Sequence, residues 1–227
     1  VALADNALTT VATLAYELGL PEPAAGSPAE KDLERRIAVA SKAVEDYCDR
    51  RFGRATLTEK VRGMGGQVLM LDRCPVLSIT SVTLDGQVVP VAEYECVGVD
   101  AAAGLLRTRY GRWANTADWQ RGVSPEPLAG TERAAYTVVY VAGYVLPKDA
   151  APGSPSTLPA PLEEACLLTA VASYRAKGRD PSIVSQSLLS ASVSYAGSAV
   201  NTAIGLGVAG IIPDSAAYML QPYRRLT

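Results

Sequence analysis

The chain has 227 residues, enough for one large domain or two small ones with a substantial core. Its 21 basic and 23 acidic side chains leave a formal net charge of -2, which excludes an acidic solvating tail and a strongly basic nucleic-acid coat. It contains no histidine, which excludes Ser-His-Asp and Cys-His catalysis and removes most zinc sites.

The hydrophobic share is 48%, but alanine is the commonest residue and only 6% is aromatic, so close, Ala-lined helix contacts are expected inside. No stretch reaches the roughly 20 apolar residues that span a bilayer. The best candidate, Ala199 to Ile212, carries Asn201, Thr202 and three glycines and ends at Pro213, so no membrane association is expected. Asp5 near the start, with no basic leader before an apolar run, gives no expectation of a secretory signal. Cys48, Cys74, Cys96 and Cys166 form no C-x-x-C pair. They read as four reduced thiols of a cytoplasmic protein, Cys48 and Cys166 facing a core from helices, with no metal and no cofactor expected.

In chain order, Asp5 to Leu18 reads as a helix: Asp5 can cap it, Leu8, Val11 or Ala12, Ala15 and Leu18 recur at helical spacing, and Gly19 can close it. After a linker at 21–26, Ser27-Pro28-Ala29-Glu30 is a capping box with Pro at the first helical position, where its missing N–H costs nothing. Leu33, Ile37, Ala40, Val44, Tyr47 and Cys48 then form one apolar stripe, with Lys31, Glu34, Arg35, Lys42, Glu45 and Asp49 on other faces and a stop expected at Gly53. Residues 1–55 are thus the N-terminal helices of a helical domain.

Residues 56–146 read as an inserted antiparallel β domain, because the apolar period falls from 3.6 to 2 and turn residues recur at short intervals. Strands are expected at 68–71, 77–84, 87–91, 94–97, 105–110 and 135–141, with a hairpin turn at Asp85-Gly86 and an edge marked by Pro90. Gly63, Gly65 and Gly66 read as a turn between strands. The polar loop 111–132 holds Trp113 and Trp119, and a loop of that length in a compact domain is usually functional or disordered. Residues 147–180 supply a Pro-rich linker and a third core helix that starts at Pro161 and runs to about Lys177, with Gly178 as its stop; it is apolar on most sides and so expected to be buried on most sides. Residues 181–227 read as an extended docking tail with a short helix at 214–220. No charge occurs from Ser182 to Ile212, so this segment is expected to dock on something or stay mobile. The expected fold class is therefore α+β: a small helical bundle, an inserted antiparallel β domain and an extended C-terminal tail.

Gly205-Leu206-Gly207-Val208-Ala209-Gly210 matches G-x-G-x-x-G, but Pro213 follows within three residues, only a short helix comes next, and no acid lies beyond Asp214; a dinucleotide site is not expected. The acid pairs Glu45-Asp46 and Glu163-Glu164 could serve acid-base chemistry. The stronger reading puts Glu163 and Glu164 in a helix first turn, where they favour the macrodipole, and Glu45-Asp46 on a solvated face. Arginine outnumbers lysine and groups at Arg50, Arg51 and Arg54, at Arg107, Arg109 and Arg112, and at Arg224 and Arg225. These groups read as interface or surface charge ahead of phosphate contacts.

The order of segments carries more. Val44-Glu45-Asp46-Tyr47-Cys48-Asp49-Arg50-Arg51-Phe52 at a helix end, Arg73-Cys74-Pro75-Val76-Leu77-Ser78-Ile79-Thr80-Ser81-Val82, Tyr136-Thr137-Val138-Val139-Tyr140-Val141-Ala142-Gly143-Tyr144, the Pro161 helix, Ser192-Val193-Ser194-Tyr195-Ala196 and the closing Leu220-x-Pro222-Tyr223-Arg224-Arg225 together resemble the head-tail connector adaptor family of tailed double-stranded DNA bacteriophages. The resemblance spans nearly the whole chain and lies in order and spacing; the loop 111–132 and the Gly/Ala stretch 196–210 depart from it. It implies a head-completion protein located in the virion neck and assembled in the host cytoplasm. Its copies form a ring, typically dodecameric, beneath the portal, extend the DNA channel without reading sequence, and offer a platform to the stopper or tail. The implied portal-docking residues are Val193, Tyr195, Tyr218, Leu220, Tyr223, Arg224 and Arg225. Trp113, Trp119 and Arg112 are candidates for a loop facing the lumen or the stopper, against the alternative that both tryptophans cap the β domain. Other readings are another neck or tail-completion ring protein and, remotely, an acid-base enzyme.

Overall fold

The structure is a computed structural model that describes residues 3–84, 86–115, 135–177, 185–188, 191–194 and 212–225. The fold is mixed α+β with antiparallel sheets. It divides into a helical unit, Val1–Arg51 with Val145–Thr227, and a β unit, Phe52–Tyr144.

In the helical unit, α1 spans Val11–Glu17 and not the whole of Asp5 to Leu18. Its cap is Thr10, whose hydroxyl accepts from the Thr13 N–H at 3.2 Å, so Asp5 lies before the helix. Helix α2 spans Pro28–Cys48: the Ser27 hydroxyl accepts from Glu30 N–H at 3.1 Å, and the Glu30 carboxylate reaches back to the N–H of Gly26. It ends at Asp49 in the left-handed conformation (φ 50°), four residues before the expected stop at Gly53. Leu33, Ile37, Ala40, Val44 and Cys48 are buried as the stripe requires, but Glu34 and Glu45 are buried too. Ala160–Arg175 forms a second long helix, with Leu162, Ala165, Cys166, Leu167, Thr169 and Ala170 buried. It packs on α2 and α1.

The β unit contains β1 (Ala55–Val61), β2 (Val68–Met70), β3 (Val76–Leu84), β4 (Gln87–Val88) and β5 (Tyr94–Glu95), then a six-residue helix, α3 (Gly98–Ala103), then β6 (Leu105–Thr108) and β7 (Tyr136–Ala142). Sequence periodicity extends strands over residues 89–91 and 96–97; the structure turns there instead, through a 3-10 turn at Val91–Glu93 and into α3. Across the hairpin turn Leu84 pairs with Gln87. The strands form a four-stranded sheet ordered β1-β7-β3-β4 and a three-stranded sheet ordered β2-β6-β5. Alternation along β7 turns Tyr136, Val138, Tyr140 and Ala142 inward, where they share one core with Leu69, Tyr94 and Leu106 of the smaller sheet.

With the Ala160–Arg175 helix as α4, the remaining elements are a two-stranded antiparallel pair, β8 (Ser185–Leu188) and β9 (Ala191–Ser194), and α5 (Asp214–Leu220). Helix α5 packs on α4 and α2 of its own unit, burying Ile212, Ala216 and Leu220.

Candidate interaction surfaces

The C-terminal end of α2 anchors the last described segment. A helix leaves its final carbonyls without intrahelical partners, and here the Cys48 carbonyl accepts from the Arg225 N–H at 2.9 Å. Around it Arg50 Nη1 donates to the Tyr223 carbonyl at 3.4 Å, the Tyr47 hydroxyl donates to the Ala217 carbonyl at 3.5 Å, and the Arg224 guanidinium stands 5.1 Å from the centre of the Tyr47 ring. Of the docking residues named from sequence, Leu220 is fully buried in the helical unit, Tyr223 is half-buried, and Arg224 and Arg225 are exposed. Tyr218, one turn position away from the buried face, is 77% exposed. Val193 lies on β9, and Tyr195 lies outside the described residues. Sequence reading missed Tyr47 and Arg50 as anchors of this segment; an arginine directly beyond a helix end, able to reach main-chain carbonyls, is the signal that points to one of them.

Glu45 does not lie on a solvated face: it is 2% exposed and its Oε2 accepts from Arg51 Nη1 at 2.6 Å and Asn6 Nδ2 at 3.0 Å. Its place four residues after Ser41 and three before Cys48 puts it on the buried side of α2, and the arginine that follows the left-handed turn neutralises it. Glu163 is held above the usual carboxylate range by burial, opposed by the Thr9 hydroxyl at 3.4 Å. One carboxylate of each acid pair, Glu45 and Glu163, is thus engaged within the helical unit. At the far end of α2, Asp32 meets Lys177 at 2.9 Å, Arg36 at 3.3 Å and Arg35 at 3.3 Å, and these cations, Lys177 foremost, hold its carboxyl down at about 2. Arg36 also donates to the Ser173 carbonyl at 2.6 Å and stacks 5.2 Å from the Tyr174 ring, which ties α2 to α4. Burial pushes the thiols of Cys48 and Cys166 up to about 12.

In the β unit Trp113 is a core residue. It is 5% exposed, its Nε1 donates to the Gln67 carbonyl at 3.1 Å, and its ring meets Tyr136 edge-on at 5.0 Å between centroids. An indole that finds an acceptor can be buried with its whole apolar surface, and this ring is part of the β unit's core rather than an exposed loop residue. Arg112 beside it is exposed, and Trp119 lies outside the described residues. Arg107 makes a two-point contact with Asp100 of α3 (2.9 and 3.2 Å) and Arg109 pairs with Glu95 at 3.1 Å, so two of the arginines grouped here are neutralised within the β unit. Among the described residues no group of three or more His, Cys, Asp or Glu side chains converges on a metal position, and no helix is long and apolar enough to cross a membrane.

No protein-family model matches the chain, and no curated protein matches it in sequence. Solved structures do. A chain described as the neck of an empty GTA (gene transfer agent) particle, computed with C6 symmetry, is similar over 100% of this chain and 94% of its own, with a TM-score of 0.54 and 16% identity. A chain described as the neck of a native GTA particle, computed with C12 symmetry, is similar over 100% of this chain and 93% of its own, with a TM-score of 0.53 and 15% identity. At these identities the likeness establishes the fold.

Proposed function

We propose that the chain is a structural protein of a virion neck: a head-tail adaptor whose copies form a ring, dodecameric in the particle, beneath the portal. The observation that carries this reading is the end-to-end likeness of the fold to chains from particle necks solved with C6 and C12 symmetry. The ring prolongs the channel through which double-stranded DNA passes, and the near-neutral charge suits passage without sequence-specific grip. It also serves as the platform for a stopper or tail-completion protein, and it is assembled in the host cytoplasm. No reaction and no cofactor are assigned to it.

For portal docking, the exposed Tyr218 and Arg224 are the contacts, the β8-β9 pair with Val193 offers a strand edge, and Tyr195 and Arg225 are further candidates. Leu220 acts from beneath by seating α5. Trp119 and Arg112 remain the candidates for the lumen or stopper side. The test is electron microscopy of the protein mixed with its own portal. The wild type forms ring-on-ring complexes, and Y218A/R224A loses them while keeping its fold. A double variant that binds the portal as well as wild type overturns the docking assignment. Absence of a wild-type complex moves the protein to another ring of the neck.

A further inference from the structure

Glu34 on α2 is 8% exposed, and its Oε2 is the one buried side-chain oxygen or nitrogen among the described residues with no hydrogen-bond partner. A buried carboxylate oxygen without a donor opposes the packing that buries it. Helix geometry identifies that packing. Ser41 and Glu45 lie on the same line of α2 as Glu34, and they accept from the Leu8 N–H at 3.0 Å and from Asn6 Nδ2 at 3.0 Å. Residues 6–8 therefore run antiparallel to α2 along that line. Helix α1 follows them and packs on α2, which brings it to the level of Glu34.

The segments on either side of α1 are held more firmly than α1 itself. Before it, Ala7, Leu8 and Thr9 are fully buried, and Thr9 Oγ1 donates to Glu163 at 3.4 Å. After it, the Ser27 hydroxyl fixes the start of α2. Between them α1 has seven residues, too few for a helix to persist on its own. Only Leu14 and Ala15 of it are buried, and Glu17 stands in its last turn, where the helix dipole disfavours an acid. Tyr16 is 84% exposed, and in the linker that follows Gly19 and Gly26 take positive φ in open space. Few buried apolar contacts and an exposed connection are the marks of a segment that opens locally.

We infer that residues 11–26 form a flap that opens from α2 while residues 6–9 stay seated, and that Glu34 sets how readily it opens. Burial of Leu14 and Ala15 holds the flap shut. Hydration of Glu34 Oε2 favours it open. Opening bares the strip of α2 beneath α1 without unfolding α2 or α4, so the helical unit presents a second surface while keeping its core.

The experiment is native-state hydrogen exchange by NMR on the full chain over a range of low denaturant. The flap is read at the amides of Leu14, Leu18 and Leu20, which donate to the carbonyls of Thr10, Leu14 and Ala15 at 3.1, 3.1 and 2.9 Å; the reference is the Leu8 amide on Ser41 Oγ. In wild type the three flap amides exchange about tenfold or more faster than Leu8, through an opening that denaturant hardly changes. Glu34→Met removes the unpaired oxygen and keeps the site filled, and it slows the flap amides about tenfold. Flap amides that exchange only together with Leu8, in global unfolding, overturn the flap. Exchange that Glu34→Met leaves unchanged or speeds overturns the role of Glu34, because its oxygen then has a partner, such as an internal water, in the closed state. A Glu34→Met chain that circular dichroism shows unfolded overturns that role as well, since removing a group that opposes closure cannot unfold the protein.

Discussion

The main-chain N–H of Arg225 donates to the carbonyl of Cys48 at 2.9 Å, joining the end of the described chain to the end of its longest helix across 176 intervening positions, with Leu220 fully buried just before it. Helix α5 therefore belongs to the core of the helical unit as well as to its surface, and the two roles separate by residue. Leu220→Ala should cost about 2–5 kcal/mol, the range for truncating a fully buried leucine. Tyr218→Ala should change stability by no more than about 0.5 kcal/mol, as at other exposed positions. Denaturant melts of both variants beside wild type check the contrast, and equal losses would contradict it.

Trp113 carries the same kind of test in the β unit. Trp113→Ala removes the edge-on contact with Tyr136 and the bond to the Gln67 carbonyl, and should cost about 3–5 kcal/mol. The expected readout is a lowered Tm, with ring formation unaffected at temperatures where the variant is folded.

Two carboxyls should pull stability in opposite directions with pH. Asp32 titrates at about 2, below its unfolded value of 3.8, so the folded state binds this proton less readily than the unfolded state. The stabilisation from Lys177, Arg36 and Arg35 is complete above about pH 4 and is lost as pH falls towards 2. Asp32→Asn should flatten the acid limb of a stability-against-pH curve between those values. Glu163 is raised by burial, so its charged form is the penalised one at neutral pH, and the penalty is relieved as pH falls. Glu163→Gln, which keeps an acceptor for Thr9, should melt higher than wild type at pH 7.

The thiols divide in the same physical terms. Cys48 and Cys166 are buried and pushed up to about 12, so they have neither access nor thiolate at pH 8. A chromogenic disulfide reagent should leave both unmodified in the folded protein and react with them only in denaturant. Fast reaction of either would place it outside the core.

Local signals were readable where both partners lie close in sequence. Ser27 with Glu30, and the Leu33, Ile37, Ala40, Val44 and Cys48 repeat, specify α2 within a few residues. Its end was harder, because Asp49 takes a left-handed turn usually left to glycine. The start of α1 is misplaced from sequence because Asp5 is a good cap residue, whereas in the structure it is the Thr10 hydroxyl that accepts from the Thr13 N–H. Helix α3 is six residues long with no side-chain cap, so a turn-rich β region gave no sign of it. The candidate surfaces were least legible, since they depend on distant partners. Trp113 reads as an exposed loop residue until Gln67, Tyr94 and Tyr136 are brought around it, and Leu220 reads as part of a tail until α2 and α4 receive it.

The seating of α5 on α4 has one more consequence. Leu167 and Ala170 on α4 and Ala216 and Leu220 on α5 are buried in one helical unit, so the two helices are held together by packing as well as by the chain that links them. A single protease cut within 178–211 should leave two fragments that elute together and part only when the helical unit is unfolded.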